Sequence, residues 1–89
     1  NDRKEVDNME YILEVCFEIG AANVTSYTNS AEFTLLSQTN INTSSVAITI
    51  DGSPVDYPTH LVGGETVSIS INRTDDDKAS FVTLHGVMK

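Results

Sequence analysis

Glu14 and Glu18 are the first residues whose spacing suggests chemistry, because a pair of carboxylates is what glycoside hydrolysis requires. They lie in residues 11–19, where Tyr11, Leu13, Val15, Phe17 and Ile19 alternate with Ile12, Glu14, Cys16 and Glu18. Side chains alternate across a strand with a period of two, so the run reads as a half-buried strand with Tyr11, Leu13, Val15, Phe17 and Ile19 inward. Four residues of strand span about 13 Å, at about 3.3 Å per residue. Catalytic carboxylate pairs sit about 5–9.5 Å apart. Glu14 and Glu18 are therefore read as the wet face of a sheet.

Asp75, Asp76 and Asp77 are the next candidates, as calcium ligands. An EF-hand loop counted from Asp75 needs Gly at its sixth position and Glu at its twelfth, and these hold Ser80 and Gly86. The run reads as a solvated turn. Cys16, His60, His85 and Met88 supply the ligand types of a blue-copper site. In cupredoxins, however, the Cys stands close to the second His and the Met, late in the chain, whereas Cys16 is far upstream of His85 and Met88. There is no Gly-x-Ser-x-Gly elbow, and Gly63-Gly64 precedes a strand pattern rather than a helix that could hold a phosphate. The expectation is a domain without catalytic, metal-binding or cofactor-binding residues: no enzyme and no cofactor.

Charge narrows the partners. Thirteen Asp and Glu stand against five Lys and Arg, a formal charge of −8, so the clustered basic residues that bind nucleic acid are missing. No stretch reaches the ~18 apolar residues of a membrane span, so membrane association is expected only through a segment absent from this chain. The single cysteine, Cys16, forms no internal disulfide. Asn23, Asn42 and Asn72 each begin an Asn-x-Ser/Thr triplet and are candidate glycosylation sites, which favours an extracellular setting. The sequence begins at Asn1 rather than Met and reads as a piece of a longer or processed chain.

The elements that position these residues are all strands. Residues 1–9 are charged and aperiodic and read as a tether, leaving 10–89 as one domain. Beyond the first strand and Gly20, short strands are expected at residues 24–27, 31–36, 46–50, 55–57, 66–71 and 80–87, with polar loops at 39–45 and 72–78. Asp51-Gly52 marks a tight turn, and Pro54 and Pro58 suit an edge strand. The predicted core is Leu13, Val15, Phe17, Phe33, Leu35, Val46, Ile48, Ile50, Val67, Ile69 and Ile71. This pattern predicts an all-β fold, a small immunoglobulin-like antiparallel β-sandwich of about six to eight strands. Ile12, Cys16, Leu36, Val82 and Leu84 break the alternation and are the candidate interface.

Several features stand together: the run 30–35 (Ser-Ala-Glu-Phe-Thr-Leu), the strand 46–50, the Asp51-Gly52 turn with Val55, the Leu61-x-x-Gly64-Glu65-Thr66-Val67 lead-in and the final Phe81 to Gly86. In this order they resemble the extracellular β-sandwich of archaeal archaellum and pilin-like proteins, such as archaellins and the archaellum accessory proteins F and G. The resemblance covers about residues 10–88; the family's N-terminal apolar helix is not in this sequence. It implies a non-catalytic structural or binding role in a surface filament or its envelope anchor. The expected setting is extracellular or pseudoperiplasmic at the cell surface, the expected partners are other envelope or filament proteins, and the expected state is a homo-oligomer. The alternative is a generic immunoglobulin-like module of an adhesin, a surface-layer protein or a viral coat.

Overall fold

The computed structural model describes residues 9–88, which form eight strands and no helix. In chain order they are β1 (Glu10–Phe17), β2 (Val24–Thr28), β3 (Phe33–Ile41), β4 (Thr43–Ile50), β5 (Ser53–Pro54), β6 (Thr59–Leu61), β7 (Thr66–Arg73) and β8 (Ser80–Met88). Two antiparallel four-stranded sheets stack on each other. Sheet A runs β1-β8-β3-β6 and sheet B runs β2-β7-β4-β5. The predicted β-sandwich is thus the fold observed. Its smallest extent, 19 Å, is what two sheets about 10 Å apart produce. Apart from Met9, the tether expected over residues 1–9 lies outside the described residues; the carbonyl of Met9 accepts a hydrogen bond from the Met88 amide at 2.8 Å.

The alternating pattern explains why these segments are strands and which face each one buries. Phe17, Phe33, Leu35, Ile48, Val67, Ile69 and Ile71 are in the buried core as predicted, and Leu13, Val15, Val46 and Ile50 pack against it half-buried. Leu61, Val82 and Leu84 complete the core, each fully buried. Truncating one core methyl is expected to have a modest effect: Ile48→Val should cost about 1 kcal/mol. Urea titration checks this, and an unchanged midpoint would mean that Ile48 does not pack as described.

The turn chemistry follows the residue types. Asp51 (φ 50°) and Gly52 (φ 87°) both adopt the left-handed conformation of a two-residue hairpin, and Ile50 pairs with Ser53 across it. The following arm is only two residues long, and its Pro54 places it at the edge of sheet B.

Three expectations are corrected. The strand expected over 55–57 is absent: pairing ends at Pro54 and resumes at Thr59. The loop expected over 39–45 is strand: β3 continues to Ile41, and Asn42 alone separates it from β4. Polar side chains serve there because β6 pairs only with residues 33–35, so this stretch is an open edge of sheet A whose backbone pairs with β8 alone. Ile19, expected inward, lies beyond the end of β1 and is 64% exposed, because the strand stops at Phe17 and the chain turns at Gly20.

Candidate functional site

Register places the outward side chains of sheet A in rows. Cys16, Phe81 and Ile41 lie side by side on β1, β8 and β3. The next row is Glu14, Thr83 and Thr39; then come Ile12, His85 and Ser37; then Glu10, Val87, Thr34 and His60. The first row is apolar across all three strands, with Cys16 exposed, Ile41 61% exposed and Phe81 half-buried. Ile12 adds a further exposed side chain on β1. Leu36 occupies the irregularity between Leu35 and Ser37, where β3 slips register against β8, and this bulge leaves it exposed.

Val82 and Leu84 do not belong to this surface. Both point into the sandwich and are fully buried, because β8 is the second strand of sheet A, covered by β1 and β3 on its sides and by sheet B beneath. The apolar residues that β8 turns outward are Phe81 and Val87.

The carboxylates and imidazoles are spread out. Glu14 is exposed on β1, and Glu18 is exposed past its end. His85 Nε2 lies 3.0 Å from Thr39 Oγ1. His60 bridges Thr34 Oγ1 at 3.2 Å and Glu32 Oε2 at 2.8 Å, on an open sheet face where the His60 and Glu32 side chains are each about half in water. Such a pair contributes little stability. Among the described residues no three His, Cys, Asp or Glu side chains gather as metal ligands. Asp75 instead caps its own turn, its Oδ1 accepting from the Asp77 amide at 3.0 Å.

The polar residues that carry most of the tertiary hydrogen bonding are at the two ends of the sandwich. At one end Asn42 adopts φ 59° and reaches into the β7–β8 loop. Its Nδ2 donates to the carbonyls of Asp75 (2.9 Å), Lys78 (3.1 Å) and Ala79 (3.3 Å), and its Oδ1 accepts from the Asp75 amide at 2.9 Å. The buried Ser80 hydroxyl donates to the Asn42 carbonyl at 2.7 Å. Arg73 binds the same loop and the β1–β2 loop. It donates to Asn23 Oδ1 and to the carbonyls of Lys78 and Glu18. A shallow cleft lined by Gly20, Ala21, Asn23, Arg73 and Asp76 opens there, but its guanidinium is committed to those internal partners. At the opposite end buried Asn29 donates to the carbonyls of Ala31 (2.7 Å) and Val62 (2.9 Å), and Glu65 Oε1 accepts from the Val62 amide. For Asn29 the Asx habit of bonding to nearby backbone, here the Ala31 carbonyl, was the available signal, whereas the partners of Asn42 lie in the β7–β8 loop, far along the chain. Apolar periodicity carries no trace of it.

The three glycosylation candidates differ in position. The amide nitrogen of Asn42 is committed to three carbonyls, so a sugar on that atom competes with the corner itself. Asn72 is exposed on sheet B and donates to Ser45 Oγ at 2.6 Å. Asn23 is exposed in the loop before β2, with its oxygen held by Arg73.

Tyr27 introduces a pH dependence. Burial, reinforced by nearby Tyr11, pushes its hydroxyl up to about 12, and its oxygen is buried with no hydrogen-bond partner among the described residues. The neutral form is the one the fold accommodates. Its contribution is complete below the ordinary tyrosine value of about 10 and is lost as pH rises from there through 12. Denaturant midpoints are expected to fall between pH 10 and 12, and Tyr27→Phe should flatten that fall. An equally steep fall in the variant would assign the effect to other groups.

No family model, no curated protein and no solved structure matched the chain.

Proposed function

We propose that this chain is a non-catalytic structural or binding domain that acts through protein–protein contacts on the outer face of sheet A. The observation that supports this most is the apolar row Cys16–Phe81–Ile41, which crosses three paired strands on a surface open to water. A small sheet with one wet face is normally polar along that face. An apolar row there is the kind of surface that a second protein covers.

The setting we propose is extracellular: an archaeal surface filament, or the protein that anchors one to the envelope. The support is the sequence resemblance over about residues 10–88, together with the acidic charge of −8. In that setting the partners are filament or envelope proteins, including further copies of this chain.

The experiment is light scattering across protein concentration, with Ile41→Lys as the probe. Ile41 is exposed, so the lysine can be placed without disturbing the core. The wild type is expected to show concentration-dependent association, weakened severalfold in the variant. A wild type that stays monomeric at millimolar concentration, and that captures the same envelope proteins as Ile41→Lys, would overturn the reading.

A further inference from the structure

Strands β1 and β6 are outermost in sheet A, and β2 and β5 in sheet B. Because β6 pairs only with residues 33–35 of β3 and β5 only with residues 49–50 of β4, the rest of β3 and β4 is also open on that side, and each of these two carries a register irregularity, at Leu35/Ser37 and at Thr43/Ser45. Edge strands expose unpaired N–H and C=O groups, and natural sheets protect them by shortness, proline, lysine or bulges. Strand β6 is three residues long, β5 is two residues including Pro54, and β2 is five. Strand β1 is different. Its eight residues pair with β8 in unbroken register, with no proline, no basic residue and no bulge. Among the described residues nothing pairs with its other side.

Two further observations describe what this edge accepts. The first is burial. Tyr11, Leu13 and Val15 face the core yet remain half-exposed, while Val82 and Leu84 on the neighbouring strand are completely covered. The uncovered part of those three side chains is what an additional strand would close over. The second is charge. On its outward face β1 presents Glu10, Ile12, Glu14 and Cys16, and Glu18 follows just past the strand. Acids therefore recur at every fourth residue with an apolar residue between them. The two cations among residues 10–88, Arg73 and Lys78, are both at the β7–β8 end, and Arg73 is occupied internally.

A second copy of β1 offers no cation to this edge. Antiparallel pairing centred on Glu14 sets Glu14 against Glu14 and Glu10 against Glu18, and centring on Ile12 sets Glu10 against Glu14; like charges directly opposite are destabilising. Centring on Leu13 or Val15 sets Glu14 opposite Ile12 or Cys16 and avoids that clash, but it leaves every acid of both copies without a partner, which a basic segment supplies.

We propose that β1 is a strand-addition site for an extended basic segment of another protein. The segment carries Lys or Arg at every fourth position, small or apolar residues between them on the same face, and apolar residues on the face turned to the core. Backbone pairing supplies affinity and the alternate side chains supply selectivity, as in other cases of strand addition. This deepens the reading of the chain as a protein-binding domain and rests on it, but it uses the backbone edge of β1, which meets the Ile41 row only at Cys16.

The test uses the peptide Lys-Val-Thr-Val-Lys-Val-Thr-Val-Lys, capped at both ends. Its cation spacing matches Glu10, Glu14 and Glu18 in either chain direction. Backbone amide NMR shifts of the full chain are followed during titration. Shifts centred on residues 10–17 are expected, with affinity falling at least tenfold in Glu14→Lys and falling as salt rises. Of two peptides N-methylated on alternate backbone nitrogens, in opposite phases, one should lose binding. The proposal is overturned by an absence of binding, by shifts centred on another strand, by equal binding of both methylated peptides, or by equal binding of a peptide with Glu in place of Lys. None of these outcomes bears on the association measured through Ile41, so the two readings fail separately.

Discussion

Gly86→Ala is expected to destabilise the domain by about 3 kcal/mol or more, the upper end of what overpacking costs. Gly86 lies on the inward face of β8, opposite Tyr11 on β1 and Leu35 on β3. A Cβ built there would lie 2.3 Å from the Thr34 carbonyl oxygen and 2.9 Å from a ring carbon of Phe33. The first neighbour is backbone in a paired strand and cannot rotate away. The second is the fully buried Phe33 ring, which stacks on Tyr11 with centroids 3.9 Å apart. The missing side chain is therefore the space into which two aromatic rings close across the sheet. Glycine in a strand interior ordinarily weakens it, so here the close packing must outweigh that cost. For a domain of this size, each kcal/mol moves the midpoint by about 4–8 °C, so thermal unfolding should shift down by more than about 12 °C. Phe33→Leu with Gly86→Ala should not restore the loss, because the carbonyl clash remains. A loss below 1 kcal/mol in the single variant would show that β8 lies further from β3 than described.

Gly86 also illustrates what could be read from the sequence and what could not. Strands with one wet face declare themselves: Leu13, Val15 and Phe17 alternate with Glu14 and Cys16, and they point where alternation puts them. Asp51-Gly52 was legible because only certain residues tolerate positive φ. Strand β8 was not. Its inward set is Ser80, Val82, Leu84 and Gly86, while Phe81 and Val87 look outward. A serine and a glycine on the core side, with a phenylalanine outside, erase the period-two signal. Neighbours in space determine the facing instead: Asn42 satisfies Ser80, and the Tyr11–Phe33 stack fills the room above Gly86. The candidate interface was legible to the same degree. Ile12, Cys16 and Leu36 are exposed, since their own strands set their direction. Val82 and Leu84 are buried, since the strands on either side of β8 set theirs. Ile41 was missed because a polar stretch, Gln38 to Asn40, hid the continuation of β3.

Asn42→Ala is expected to cost about 3–4 kcal/mol, the second large effect. Two causes add. A left-handed conformation is unfavourable for alanine by about 1 kcal/mol, and Asn42 has φ 59°. Its side chain also makes four hydrogen bonds to backbone groups of the β7–β8 loop, and losing them leaves partly buried carbonyls and an amide to find water. Each such bond contributes about 1 kcal/mol net, less where water can replace it. Glycine separates the causes. Asn42→Gly removes the backbone penalty but not the lost bonds, so it should be milder than alanine by about 1 kcal/mol. Asn42→Asp separates donor from acceptor. It keeps an oxygen for the Asp75 amide but turns a carboxylate toward three carbonyls beside Asp75, Asp76 and Asp77, so it should be at least as damaging as alanine. Urea unfolding gives the order wild type, Gly, then Ala and Asp. Hydrogen exchange should locate the loss in the amides of residues 74–80, because this is the loop that the corner holds. If aspartate proves as stable as wild type, the three carbonyl contacts do not carry the corner, and the turn stands on its backbone alone.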